Sequence, residues 1–149
     1  MSEHDSQAAL INWARLNENW IPELKTLYAN PNAQKFGYAS HAKKRNTIVK
    51  LKKEGLKPGV PDLTLPIVAD HGPGIPGICY IELKYGDNKP TESQEEMMKI
   101  LANEGNWTFV CWDWIEAAKV LLRHIALHRQ QYHPVPELDK IEQTMEGLK

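Results

Sequence analysis

The residues of this chain best suited to chemistry are two carboxylates and a lysine: Asp62, Glu82 and Lys84. Glu82 and Lys84 occupy alternate positions of an apolar segment, residues 78–84, so a strand there would direct both side chains to one face. Asp62 opens another apolar segment, residues 62–68, and a hairpin between the two strands would bring it near Glu82. Two carboxylates that close repel each other unless a cation or a shared proton lies between them.

Oxygen ligands of this kind suit Mg²⁺ or Mn²⁺ rather than zinc. The chemistry that follows is metal-assisted phosphodiester hydrolysis, in which Lys84 would orient or help to deprotonate the attacking water. Two plainer interpretations stay open on local sequence alone. Asp62 is also suited to a turn after Pro61, and Glu82 with Lys84 could form an ion pair on an exposed face of the sheet.

A basic segment precedes these residues. Residues 43–57 carry seven Lys or Arg and one Glu, although the whole chain has a net charge of only −1. Such a local positive charge suits the phosphate backbone of a nucleic acid, and the alternative is a solvated helix face. We therefore predict DNA contacts from six side chains of this segment: Lys43, Lys44, Arg45, Lys50, Lys52 and Lys53.

The elements that must position these residues alternate between helix and strand. Apolar periodicity, turn residues and a capping box of Thr91 with Gln94 predict a mixed α/β sheet flanked by helices. The predicted helices span residues 4–19, 39–54, 91–103 and 113–128, and the predicted strands span residues 27–29, 62–68, 78–84 and 107–112. Cys79 and Cys111 fall within strands, where we expect buried thiols. His124 and His128 are expected at the surface or at an interface.

Length and composition bound the class of protein. The 149 residues suffice for one domain with a core, which we place at residues 1–130, followed by an acidic tail at 131–149 with room for one short helix. No apolar run approaches the ~20 residues of a membrane span. The first residues lack the pattern of a signal peptide, so we expect a cytoplasmic protein and no membrane partner.

Several segments together resemble a known family. Asp62, with Glu82-Leu83-Lys84 twenty residues later, resembles the PD-(D/E)XK nuclease signature, including the preceding proline. The stretches GLKPGVPDLTLP, YIELK, the Ser93-Gln94 pair and EHDSQAALINWA resemble the virus-type replication-repair nuclease family, VRR-NUC. The resemblance covers about residues 3 to 128 and implies a restriction-endonuclease-like fold in a single domain.

The resemblance also implies roles for particular residues. Asp62 and Glu82 would be metal ligands together with the backbone carbonyl of Leu83, and Lys84 would be the catalytic lysine. Gln94 would support the site, and Glu3 of the first helix would reach toward the metal, with Asp5 as the alternative. The family's Pro-Asn-Gly element followed by an arginine is altered here, since Ala33 follows Asn32 and Lys35 is the only basic substitute.

The expected function is that of a structure-specific DNA endonuclease that uses Mg²⁺ or Mn²⁺. Small viral members of the family resemble Holliday-junction resolvases, whose twofold homodimers present two sites to a junction of similar symmetry. A phage or prophage origin follows from the same resemblance. The alternatives are a nuclease for flaps, nicked duplex or DNA in general, and a junction-binding protein without catalysis.

Overall fold

The computed structural model describes residues 1–31, 41–133 and 137–149, with side chains from Lys43 onward in the second helix. The helices described are Glu3–Asn17 (α1), His41–Lys53 (α2), Glu92–Asn103 (α3), Trp114–Tyr132 (α4) and Asp139–Glu146 (α5), with a 3₁₀ helix at Pro22–Thr26. The strands described are Tyr28–Ala29 (β1), Leu63–Ala69 (β2), Gly77–Leu83 (β3) and Trp107–Cys111 (β4). Residues 39 and 40 of the predicted basic helix, with Asn32, Ala33 and Lys35, lie outside these ranges.

The four strands form one mixed sheet in the order β1-β2-β3-β4. β2 and β3 pair antiparallel, so the predicted hairpin is confirmed, and β4 joins β3 in parallel after the crossover through α3. Each strand begins or ends within about two residues of its predicted bounds, the usual uncertainty of element ends. The predicted mixed α/β fold, restriction-endonuclease-like and in one domain, is confirmed.

Side-chain caps set the beginnings of three helices. Ser2 with Asp5 opens α1 and Thr91 with Gln94 opens α3, each as a complete capping box. Asp113 accepts the Glu116 amide at the start of α4. The Thr91 box is therefore confirmed as predicted, because its signal is local to four residues.

The core lies between the sheet and the helices α1 and α4. Leu63, Leu65, Ile81 and Leu83 of the sheet are buried against apolar residues of these helices, the most enclosed being Leu10, Leu121, Leu122 and Ile125. Two residues of the predicted tail at 131–149 contribute to this core as well, since Ile141 of α5 and Leu148 belong to it. Cys79 and Cys111 are buried free thiols, as expected, and burial raises the pKa of both.

The expectation that His124 lies at the surface or an interface is wrong. His124 is fully buried, and its Nε2 donates a 2.6 Å hydrogen bond to the Ile67 carbonyl. One turn later His128 donates from Nδ1 to the Val68 carbonyl at 2.7 Å. β2 loses its regular pairing between Leu65 and Ala69, so carbonyls there need donors from α4. A one-sequence pattern cannot reveal such irregular backbone.

Among the residues that the structure describes, every helix is too short or too polar to cross a lipid bilayer.

Candidate active site

The register of the β2–β3 hairpin brings Asp62 and Glu82 together. Leu63 pairs with Ile81, so the residue before β2 stands opposite Glu82. The Leu83 amide donates a 2.9 Å hydrogen bond to Asp62 Oδ2, which fixes the carboxylate against the end of β3. The hairpin therefore juxtaposes the two acids that the sequence singled out.

Glu82 is the buried centre of this arrangement, with 1% of its surface exposed. Its Oε1 lies 2.9 Å from Lys84 Nζ and accepts a 2.7 Å hydrogen bond from Gln94 Nε2. Its Oε2 is also buried, and no described residue donates to it. A buried carboxylate oxygen without a donor is costly, so this atom marks a place where a ligand would be stabilised.

The pKa of Glu82 also indicates a site that favours a bound cation. Burial, reinforced by the neighbouring Asp62 carboxylate, raises the pKa of Glu82 to about 7, while Lys84 opposes the rise. Lys84 is itself 6% exposed, so this ion pair is largely removed from water. Without a further positive charge, the protein holds two close carboxylates only by making one of them easy to protonate.

The loop that carries Asp62 fits closely against the start of α3. Gly59 has a φ of +79°, and a Cβ built there would lie 2.2 Å from the Ser93 carbonyl oxygen. From the other side, Asn30 Nδ2 donates to the Pro61 carbonyl at 2.8 Å and to Thr64 Oγ1 at 2.9 Å. Gly59 and Asn30 thus hold Asp62 in register with Gln94 and Glu82.

Glu3 of the first helix contacts the loop that follows β3, at Asn88. Asn88 Nδ2 donates to Glu3 Oε1 at 3.4 Å, whereas Asp5 accepts from the Ser2 amide and hydroxyl at 2.8 Å each. Asp5 is therefore committed to the helix cap. Within the described ranges, no group of three or more His, Cys, Asp or Glu side chains is arranged to hold a metal, and a ligand role for Glu3 stays a prediction.

The residues present nevertheless fit a hard divalent cation. Asp62 and Glu82 offer carboxylate oxygens on one side of the hairpin end, and Glu82 Oε2 has no donor among the described residues. Mg²⁺ typically takes only one or two carboxylates and completes its coordination with water and phosphate. A pair of acids suits such a cation, and the Leu83 carbonyl as a further ligand stays a prediction.

Comparison with known proteins agrees with this geometry. No family model and no curated protein matches the chain. A solved structure described as a VRR_NUC domain protein matches 85% of this chain and 90% of its own, with a TM-score of 0.63 and 24% identity. The chain has the VRR-NUC fold. The resemblance predicted from the sequence is confirmed at that level.

The basic helix α2 lies outside the packed part of this VRR-NUC fold. From Lys43 onward, none of its described side chains is buried. Lys50 lies 4.0 Å from Glu54 in an exposed pair, which water screens strongly. Because the helix buries no described side chain, packing does not account for its basic residues. Its contact with DNA stays a prediction.

Sequence reasoning missed parts of the site that depend on tertiary contact. Asn30 beside Pro31 is typical of a turn by composition, and nothing in its sequence neighbours indicates a bond to the loop before Asp62. For Trp112, at the end of a strand beside Asp113, the sequence favours packing, with base stacking as the alternative; the structure leaves the residue 42% exposed next to the end of β3. The sequence signal for the exposure of Trp112 in this VRR-NUC fold was its position between the end of β4 and Asp113, the cap of α4.

Proposed function

We propose that this protein is a metal-dependent DNA endonuclease that hydrolyses phosphodiester bonds. Asp62 and Glu82, with the Leu83 carbonyl and Glu3, would hold Mg²⁺ or Mn²⁺. The observation that carries the proposal is the state of Glu82: buried, opposite Asp62, and bonded through one oxygen to Lys84 and Gln94 while no described residue donates to the other. A protein that only bound DNA would gain nothing from two repelling carboxylates beside a phosphate.

In such a site the cation neutralises phosphate charge and makes an attacking water more acidic. The remaining work falls to side chains of this chain. Lys84, held 2.9 Å from Glu82, orients the attacking water or helps to deprotonate it, and its ammonium offsets negative charge that builds on the phosphate oxygens. Gln94 is a positioning residue that keeps Glu82 in one orientation.

DNA binding is assigned to α2. Its lysines and Arg45 would contact the phosphate backbone, where each contact releases counterions and strengthens binding without reading sequence. The exposure of five of these basic side chains supports this assignment: Lys43, Arg45, Lys50, Lys52 and Lys53. The last turn of α2 lines a cleft with Asn30 and Val60, and Asn30 contacts the loop before Asp62, so a DNA strand bound along the helix would reach this loop.

The preferred substrate in this proposal is branched DNA, with the four-way junction first. A homodimer would present two sites to a junction of twofold symmetry and cut both strands in register. We propose a phage or prophage origin and action in the host cytoplasm. Flap DNA is the second candidate, and the exposed Trp112 favours it, since this residue directly follows Cys111, whose carbonyl accepts from the Lys84 amide.

The test compares the wild type with Asp62→Ala on labelled four-way junction, flap and linear duplex, in Mg²⁺, Mn²⁺ or EDTA. We expect cleavage by the wild type in either metal, none in EDTA and none by Asp62→Ala. Paired symmetric cuts in the junction would support a resolvase, and cuts at the flap base would support the second candidate. Binding without cleavage by the wild type would instead indicate a junction-binding protein, and the nuclease proposal would fail.

The homodimer has its own measurement. Light scattering at micromolar concentration distinguishes the 17.0 kDa monomer from a species of twice that mass. A monomer, both free and bound to a junction, would contradict the resolvase arrangement while leaving hydrolysis intact. Asp62→Ala is the matched control, because the substitution lies inside the site and should leave assembly unchanged.

A further inference from the structure

Two exposed aromatic side chains follow the strands that end at the candidate active site. Tyr85 is 45% exposed and Trp112 is 42% exposed. β3 and β4 run parallel with Leu83 opposite Cys111, and the Lys84 amide donates to the Cys111 carbonyl at 2.9 Å. Each aromatic residue is thus one position along the chain from this Lys84–Cys111 backbone bond.

Trp112 is exposed, but two hydrogen bonds hold it in place. Its indole Nε1 donates to the Asn88 carbonyl at 3.0 Å, and its backbone amide donates to Glu116 Oε2 at 2.8 Å. Asn88 closes the turn that begins at Tyr85, since its amide donates to the Tyr85 carbonyl at 3.1 Å. The ring is therefore held by its polar edge, at the turn that also carries Tyr85.

We propose that Trp112, with Tyr85, forms a stacking surface for an unpaired nucleobase next to the scissile phosphate. The substrate class is then DNA with unpaired nucleotides at a branch, which favours the flap over the fully paired four-way junction, because a base in a duplex is already stacked on both faces. Aromatic rings stack on any base, so the surface selects structure rather than sequence. The inference deepens the proposed nuclease function and rests on it for the phosphate's position.

The chain offers a matched control in Trp20. It is 47% exposed, and its Nε1 is also bonded, to Asn17 Oδ1 at 3.2 Å. It follows the far end of α1, whose first residue Glu3 contacts Asn88. A helix of 15 residues is about 22 Å long, so Trp20 has the same exposure and the same kind of anchor at a distance from the site.

The experiment measures binding in EDTA, where no cleavage occurs. A flap substrate carries 2-aminopurine at its first unpaired nucleotide, and a blunt duplex of equal length is the reference. We expect the wild type to quench the flap fluorophore. We expect Trp112→Leu to abolish the quenching and weaken flap binding by about 10-fold, with blunt duplex unaffected, while Trp112→Phe restores most of both and Trp20→Leu behaves as the wild type.

Three results would contradict the proposal of a stacking surface. These are wild-type binding without quenching, unchanged flap affinity in a folded Trp112→Leu, and an equal loss on flap and blunt duplex. Thermal melting checks that the variants fold, and the wild-type quenching does not depend on any variant. Cleavage in Mg²⁺ by the wild type and Asp62→Ala separates the two proposals: quenching without cleavage refutes the nuclease alone, and cleavage without quenching refutes the surface alone.

Discussion

Gln94 joins the beginning of α3 to the buried carboxylate of Glu82 through the two ends of one amide. Its Nε2 donates to Glu82 Oε1 at 2.7 Å, and its Oε1 accepts from the Thr91 backbone amide at 2.8 Å. The same residue completes a helix cap and orients an acid of the site. The position of α3 and the orientation of Glu82 are consequently coupled.

Replacing Gln94 with glutamate should separate these two roles. Glutamate is equally suited to the third position of a capping box, but its carboxylate cannot donate to Glu82 and adds a repelling charge. We expect the helix cap to be kept, a lower melting temperature because the added charge repels Glu82, and a loss of cleavage of about 10–100-fold, the usual cost of removing a side chain that orients a metal ligand. Glu95→Gln, on the exposed neighbour, is the control. Full activity of Gln94→Glu would show that the Glu82 contact is dispensable.

The two contacts of Gln94 also illustrate how far the sequence leads. The cap is predictable because its partners lie within four residues. The bond to Glu82 spans twelve positions and depends on how α3 returns across the sheet. The pairing of Glu82 with Lys84 is predictable for a similar reason. Side chains alternate between the two faces of a strand, so residues two apart on β3 share a face.

The features that could not be predicted from the sequence depend on irregular backbone and on tertiary contacts. Asn30 reaches the Pro61 carbonyl from a position 31 residues away. His124 was expected at the surface, since helical periodicity cannot reveal that a bulged strand leaves the Ile67 carbonyl in need of a donor. The roles of Leu83 and Glu3 came from the family resemblance alone, because no local pattern near either residue indicates them.

Gly59→Ala should impair both stability and cleavage. The added Cβ would lie 2.2 Å from the Ser93 carbonyl oxygen and would force the Asp62 loop away from α3, on top of the strain of a positive φ. We expect a loss of about 1–3 kcal/mol in the free energy of unfolding, measured by urea denaturation, with cleavage reduced in the folded variant. Gly55→Ala is the control, because Gly55 has a φ of +109° with nothing within 4 Å. Equal effects at both glycines would contradict a role for the close approach.

Neutralising two exposed lysines of α2 should weaken binding to every DNA substrate alike. Lys52→Gln with Lys53→Gln removes up to two phosphate contacts, so the slope of log K against log salt should become shallower by about 1–2. Titration of labelled duplex at several salt concentrations measures this slope. Lys99→Gln, exposed on α3, is the control. An unchanged slope in the double variant would place the DNA elsewhere.

The buried His124 should make the fold sensitive to acid. Its Nε2 donates to the Ile67 carbonyl, so in the neutral ring Nδ1 accepts from His71 Nε2, which lies 2.8 Å away. Burial lowers the pKa of His124 to about 4, the Ile67 carbonyl opposes this, and the charges of His71 and His128 lower it further. Protonation is consequently easier in the unfolded chain than in the folded one.

The sign of the pH dependence follows from this difference. Because the unfolded chain takes up a proton near pH 6.5 and the folded chain only near pH 4, the contribution of His124 is complete above pH 6.5. It is lost as the pH falls to 4, by about 3 kcal/mol in the free energy of unfolding. Urea denaturation across this range should therefore give a steeper fall for the wild type than for His124→Gln, which starts less stable at pH 7. Carboxylates titrate alike in both proteins, so parallel curves would mean that the pKa of His124 is the same in the folded and the unfolded chain.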